Sequence, residues 1–348
     1  MSLLVLTAAD VVKVVDAIDV EHLESLMSKV FTTISDSSTP VNLSPPRTTI
    51  PTKRHNVLFM PSRMQQVGTA IKVVSVPTGA NSTGLPATTL VVDEMTGAVR
   101  AIVNARSLTA LRNAAGSVLS TRLVGLKDPA TIVAFGAGKQ IETHLDLHIR
   151  AYPSIRQCTI VNRSDNARLS SLERYFTSRH PHVTIKCIAR EDTADEEIES
   201  FVSDASMIIC ATSSTSPLFP SHWVRDGTHI ILIGSYTPRM REVDTSLVLR
   251  ACDTSRGGIL LVDSKEACAK EAGELIDAGI GPDGIIEMGE MIRKREEYPR
   301  APTTFGGVTM FKSVGVGLQD VAIAYATVDK ALAMNPPVGA IIGQYDLA

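Results

Sequence analysis

Residues Thr131–Gln140 read TIVAFGAGKQ: five apolar or β-branched positions run into Gly136-Ala137-Gly138, and a helical pattern starts at once. A buried strand that turns through glycine into a helix amino terminus aims backbone N–H groups at an anion such as a pyrophosphate. The first glycine permits the tight turn, and the second lets the backbone approach closely. Ile141 stands where the usual fingerprint has a third glycine, so the pair depends on its context. That context is an alternation of apolar strands and helical stretches: TIVAF, CTIVN, VTIKCI, MIICAT, HIILIG and GILLVD. It predicts a parallel sheet covered on both faces, the α/β Rossmann arrangement.

The second strand ends in Asn162-Arg163-Ser164, where an NAD-selective site places an acid on the ribose hydroxyls. A guanidinium and a hydroxyl suit a 2′-phosphate instead, which favours NADP(H) over NAD(H). The other reading makes Arg163 a solvated loop residue and gives the acidic task to Asp165. Ala211-Thr212-Ser213 follows another buried strand, and small residues there let a cofactor lie against the strand end, although they suit plain packing too.

Upstream the pattern changes. Residues 1–35 show helical spacing, and a turn-rich stretch covers Ser35–Pro51. Short strand-like runs follow at Asn56–Met60, Thr69–Val76, Thr88–Asp93 and Val99–Val103, separated by turns such as PTGANSTGLP. They predict an α+β region with an antiparallel sheet or open barrel. The expected division is one domain over 1–122 and 309–348, and the Rossmann domain over 123–308.

A chain of 348 residues accommodates both domains, and 44% hydrophobic with 20% charged residues is an ordinary globular balance. A net charge of −3 offers no footprint for nucleic acid or an anionic membrane. Cys158, Cys187, Cys210, Cys252 and Cys268 form no CxxC pair, which points to reduced thiols and a cytoplasmic setting rather than a disulfide framework. Asp10, Lys13, Asp16 and Asp19 break the apolar start, so it reads as a folded amphipathic segment and not a signal peptide. No metal site is expected: His144 and His148 have a compatible spacing but lack a third ligand. His180 and His182, in a polar turn, read as solvated, and Trp223 as packing beneath a loop.

Three basic residues stand out before the glycine loop. Arg47 follows Pro45-Pro46; Lys72 lies inside the apolar run GTAIKVVSVP, where alternation alone would turn it outward; Arg112 lies on a helix of small residues and needs a partner. In order along the chain come Met60-Pro61, Lys72, Gly84-Leu85-Pro86, Asp93, Thr96-Gly97, the run Leu108–Arg112 (LTALR), Gly136–Gln140 and the run Phe311–Gly315 (FKSVG). This succession resembles the ornithine cyclodeaminase and mu-crystallin family over nearly the whole chain. The resemblance implies a homodimer formed through the amino-terminal sheet domain, and a substrate carboxylate held by Arg47, Lys72 and Arg112. It also implies cofactor contacts from Gly136, Gly138, Lys139, Gln140 and Ser313. Lys72 and Arg112 are the expected catalytic pair.

Cyclodeaminases of that family carry an Asp where this chain has Tyr236, in Gly234-Ser235-Tyr236-Thr237-Pro238. A phenol is a poor base at neutral pH, so cyclodeamination is disfavoured. The expectation is NADPH-dependent reduction of a cyclic ketimine carboxylate, a pyrroline- or piperideine-2-carboxylate, with Tyr236 lining the substrate site. The alternatives are a reversible amino acid dehydrogenase, a reductive coupling of keto acid with amine, and, from another class, an NADP(H)-dependent small-ligand-binding protein.

Overall fold

The computed structural model describes residues 2–36, 42–78, 84–294 and 307–346. Residues 79–83 of the expected PTGANSTGLP turn lie outside the described residues. The chain divides into two compact units, Met1–Arg112 with Gly315–Ala348, and Asn113–Val314.

The first unit begins with strand β1 (Leu3–Leu6) and helices α1 (Ala8–Asp16) and α2 (Val20–Ile34). Strands β2 (Thr48–Pro51), β3 (His55–Met64), β4 (Gly68–Pro77), β5 (Ala87–Val92) and β6 (Val99–Asn104) follow, then helix α3 (Arg106–Leu123). The second unit continues with β7 (Thr131–Phe135), α4 (Lys139–Ala151), β8 (Gln157–Asn162), α5 (Ala167–Arg179), β9 (Thr184–Ala189), α6 (Asp195–Asp204) and β10 (Met207–Cys210). After these come β11 (His229–Leu232), α7 (Thr245–Cys252), β12 (Ile259–Val262), α8 (Lys265–Glu271), α9 (Gly273–Asp277), β13 (Ile286–Glu287), α10 (Met288–Arg293) and β14 (Thr309–Lys312). The chain then returns to the first unit as α11 (Gly317–Ala333) and β15 (Ala340–Ile342).

The first unit is an open sheet in the order β15-β1-β6-β5-β4-β3-β2, antiparallel except where β1 runs parallel to β6. Strand β4 alternates strictly: Gly68, Ala70, Lys72 and Val74 are buried, while Thr69, Ile71 and Val73 are half-exposed. The face carrying Lys72 therefore points inward, contrary to the outward reading, and α11 packs on β3 and β4. The helix predicted for residues 1–35 begins late. Four consecutive apolar residues, Leu3–Leu6, fill an inner strand between β6 and β15. Thr7 then caps α1, its hydroxyl accepting from the Asp10 amide while the Asp10 carboxylate accepts from the Thr7 amide at 2.9 Å.

The second unit is an all-parallel sheet in the order β13-β12-β14-β11-β10-β7-β8-β9. Its central strands β10, β11, β12 and β14 are buried at every position, as a sheet covered on both faces requires. Strand order reverses between β7 and β10, the switch point at which such sheets open a crevice. Both domain boundaries differ from those expected at 122/123 and 308/309. The division falls inside α3, between Arg112 and Asn113, and at 314/315, because β14 is hydrogen-bonded between β11 and β12.

Three histidines lie wholly inside this unit. His144 and His148 of α4 meet Ser117 and Thr121 of α3 at 3.0 and 3.4 Å, and His229 of β11 meets Ser120 at 3.2 Å and Thr309 at 2.8 Å. His180 is also buried, against the solvated reading, because Asp146 on α4 holds its ring at 2.9 Å, a partner that local polarity does not reveal. Trp223 packs in the core as expected.

Burial, with a smaller contribution from neighbouring His148, pushes His144 and His229 down to about 3, and burial pushes His148 down to about 4. Depressed histidines bind protons more readily in the unfolded chain, so their stabilisation is complete above about 6.5 and drains away as pH falls toward 3–4. Each costs about 2 kcal/mol by about pH 5. Glu242, raised to about 7, acts in the opposite sense over the same window, so the three histidines prevail. Urea unfolding should therefore show a net loss of roughly 3–4 kcal/mol between about pH 6.5 and about pH 5. Equal unfolding free energies at the two pH values would contradict this.

Candidate functional site

The glycine loop is built as its sequence requires. Gly136 has a φ of +114°, and a Cβ there would lie 2.9 Å from the Ala211 carbonyl. Gly138 caps α4 without a side-chain bond, and a Cβ on it would meet nothing within 4 Å. The first amides of α4 are therefore open to an anion, where the helix dipole also favours one. Gln140 Oε1 is buried with no hydrogen-bond partner. Ile141 is fully buried, so the position of the missing third glycine faces the core and not a ligand. Lys139 is exposed and turned toward Glu142 on its own helix.

At the end of β8, Asn162 donates through Nδ2 to the Ser164 carbonyl at 2.7 Å and shapes the turn. Ser164 is half-buried there, and the Arg163 and Asp165 side chains are exposed. At the end of β10, Ala211 is half-buried and Ser213 exposed, while Thr212 donates to Glu242 through its amide at 2.6 Å and its hydroxyl at 3.1 Å. Ser313 is buried, and its hydroxyl donates to Asp263 at 2.7 Å. Tyr236 is half-buried in the loop after β11. Glycine cradle and open helix terminus together fit the pyrophosphate of a dinucleotide.

The first unit gathers its basic residues around a carboxylate. Lys72 Nζ lies 2.6 Å from Asp320 Oδ2, and Arg112 Nε donates to Asp320 Oδ1 at 3.3 Å. Arg112 also donates to Gln319 Oε1 at 2.8 Å. Lys72, Arg112, Gln319 and Asp320 are each no more than 4% exposed. Burial lowers the Lys72 ammonium below its ordinary range, Asp320 pulls it back up, and Arg112 and Arg47 push it down again. Arg47, half-buried just before β2, is thus within electrostatic reach of Lys72. Among the described residues, Lys72 and Arg112 thus share one internal carboxylate, with Arg47 adding positive potential nearby.

Sequence reading gathered Arg47, Lys72 and Arg112 but missed Gln319 and Asp320. The available signal was the pair itself, set in α11 among Leu318, Val321 and Ala322, where a buried carboxylate needs cations. Glu242 and Glu274 were missed as well. Both are buried against Lys312, whose place in the all-buried strand β14 carries the same kind of signal.

The family model for the ornithine cyclodeaminase/mu-crystallin family matches residues 7–335. Ketimine reductase mu-crystallin from Mus musculus is 28% identical over 294 residues, 82% of this chain and 85% of that protein. Delta(1)-pyrroline-2-carboxylate reductase from Colwellia psychrerythraea is 29% identical over 252 residues, 71% of this chain and 74% of that protein. Among solved structures, Thermococcus litoralis Delta(1)-pyrroline-2-carboxylate reductase, in complex with NADH and L-proline, is 25% identical with a TM-score of 0.79 and covers 97% of this chain and 99% of that one. With the glycine loop, the LTALR arginine and the FKSVG lysine in place, the chain belongs to the ornithine cyclodeaminase/mu-crystallin family.

Proposed function

We propose that this protein reduces a cyclic ketimine carboxylate, of the pyrroline- or piperideine-2-carboxylate kind, with a reduced nicotinamide dinucleotide, NADPH in preference to NADH. The observation that carries the reading is the buried Lys72–Asp320–Arg112 cluster, a cationic site with a proton donor inside it. The relatives named above, reductases of ketimines and of pyrroline-2-carboxylate, agree with it. A homodimer assembled on the first unit's sheet belongs to the same reading.

A bound reduced nicotinamide supplies a hydride to an electrophilic carbon. Reduction of C=N takes that hydride at carbon, moves the π pair onto nitrogen and consumes one proton. Arg112 and Arg47 hold the substrate carboxylate and so fix the position of the adjacent imine carbon. Lys72 Nζ provides the proton. Burial makes its ammonium a stronger acid than an exposed lysine, and Asp320 keeps it protonated and aimed. Gly136, Gly138 and Gln140 receive the pyrophosphate, with Lys139 at the rim. Asn162, Arg163 and Ser164 receive the adenosine ribose and its 2′-phosphate. Ala211, Thr212, Ser213 and Ser313 border the nicotinamide end. Tyr236 lines the substrate site, and as a phenol in place of a carboxylate it does not support cyclodeamination.

NADPH oxidation measured with five- and six-membered cyclic ketimine carboxylates should show turnover, and Arg112→Ala should lower kcat/KM by about a hundredfold or more. Turnover only with an open-chain keto acid and ammonia would move the assignment to an amino acid dehydrogenase. Tight NADPH binding without turnover would leave a ligand-binding protein. Arg163→Ala should cut the preference for NADPH over NADH by about tenfold, and an unchanged preference would remove the 2′-phosphate role.

The pH profile tests the proton donor. Reduction needs protonated Lys72, so activity falls as pH rises through the lysine's depressed range. Asp320→Asn removes the group that raises Lys72 and should shift this alkaline limb to lower pH. A limb that stays in place would exclude Lys72 as the acid.

A further inference from the structure

The second unit contains a buried charged group that the reaction above does not use. Glu242, Glu274 and Lys312 are all at most 1% exposed. Lys312 Nζ donates to the Ser235 carbonyl and hydroxyl, each at 2.6 Å, and lies 3.0 Å from Glu274 Oε1. Ser235 in turn donates to Glu274. Glu242 is engaged differently: Oε1 takes the Thr212 amide at 2.6 Å and the Thr212 hydroxyl at 3.1 Å, and Oε2 takes the Gly234 amide at 2.7 Å. One carboxylate thus binds the second residue beyond each of two adjacent strands, β10 and β11.

The two loops touch backbone to backbone. A Cβ on Gly234 would lie 1.9 Å from the Thr212 carbonyl oxygen and 2.3 Å from its nitrogen. On the other side, a Cβ on Gly136 would lie 2.9 Å from the Ala211 carbonyl. The glycine loop, the Thr212 loop and the Gly234 loop are therefore in register along the carboxyl edge of the sheet, where doubly wound folds bind their ligands. A carboxylate with three donors from two loops is far more than packing needs, since an apolar side chain would fill the same volume without a buried charge.

We propose that Glu242 is a positioning residue for the nicotinamide half of the dinucleotide site, holding the Thr212 and Gly234 loops at the separation that the bound cofactor requires. This rests on the dinucleotide reading of the second unit. The groups facing Glu242 are Lys312 of β14, Glu274 of α9 and the Cys210 thiol of β10; Arg241, next in the chain, is occupied by Asp277. Burial raises the Glu242 carboxyl to about 7 against the attraction of Lys312, and Glu274 adds to the rise. Once protonated, one oxygen becomes a donor and a weaker acceptor, so one of the two loops is held less tightly as pH falls through neutrality.

The test is the dissociation constant of NADH, followed by its fluorescence, for the wild-type protein and Glu242→Gln. NADH has no 2′-phosphate to titrate in this range. Wild-type binding should weaken severalfold from about pH 8.5 to about pH 6, following the fraction of ionised Glu242. Glu242→Gln should bind about tenfold more weakly at the higher pH and lose the pH dependence, with KM for the cofactor rising far more than kcat falls. Equal affinity in the two proteins, or a pH dependence that persists in the variant, would overturn the role. If Glu242→Gln does not fold, the wild-type profile still decides, because flat NADH affinity across neutrality excludes the clamp. Failure of the wild-type protein to bind either NADH or NADPH would instead remove the dinucleotide reading, and the clamp with it.

Discussion

A cationic side chain cannot sit in an apolar interior without an anion to offset its lost hydration, and in the first unit that anion is Asp320. Its two oxygens divide between Lys72 and Arg112, so neither cation is buried unpaired. The arrangement also keeps the two heads apart and aimed, which they would not be in water. Arg47 adds a further positive charge within electrostatic reach of Lys72. The cluster is therefore stable enough to exist, and on the proposed reading its cations receive the substrate carboxylate. Had Asp320 been matched by one cation alone, the site would be neutral, and a carboxylate would gain nothing by leaving water.

The second unit solves the same problem with the sign reversed. Two carboxylates, Glu242 and Glu274, share one ammonium, Lys312, in a region with no access to solvent. The deficit of positive charge is met partly by backbone amides, which lower the cost of ionising Glu242, and partly by the proton that Glu242 accepts near neutrality. The two networks differ in what they hold. On the proposed reading, one presents charged heads to a small ligand, and the other uses charge to fix the backbone of the loops that receive a large one. Substitutions should separate accordingly, those in the first network acting on the substrate and those in the second on the cofactor.

Much of this was legible in the residues. The alternation of strand and helix after Thr131 and the GAG turn predicted the parallel sheet and its first strand–helix turn. Lys72 and Arg112 could be singled out because a cation among apolar neighbours has to be explained. What could not be read was pairing over long distances. Lys72 and Asp320 are separated by most of the chain, and spacing along a strand or helix contains no term for such a contact. The same holds for His180, whose polar turn looked solvated until Asp146 of another helix was seen beside it. Strand β1 was missed for a local reason, since four apolar residues are too few to separate a period of two from one of 3.6. The domain boundary moved because β14 is too short to announce which sheet it joins.

The FKSVG segment shows how a motif can be specific on internal structural grounds. Phe311 is core, Lys312 serves the Ser235 and Glu274 network, and Ser313 is tied to Asp263. Gly315 lies against the guanidinium of Arg112, where a Cβ would come within 2.5 Å of Nη1. Three consecutive requirements (a buried cation, a buried hydroxyl and the absence of a side chain) are thus met within four residues that link the two units of the chain. Each has a separate physical cause, and a random segment would rarely meet all of them. Gly234 repeats the logic against Thr212. Both motifs thus mark where a charged group or a backbone carbonyl leaves no room for a side chain.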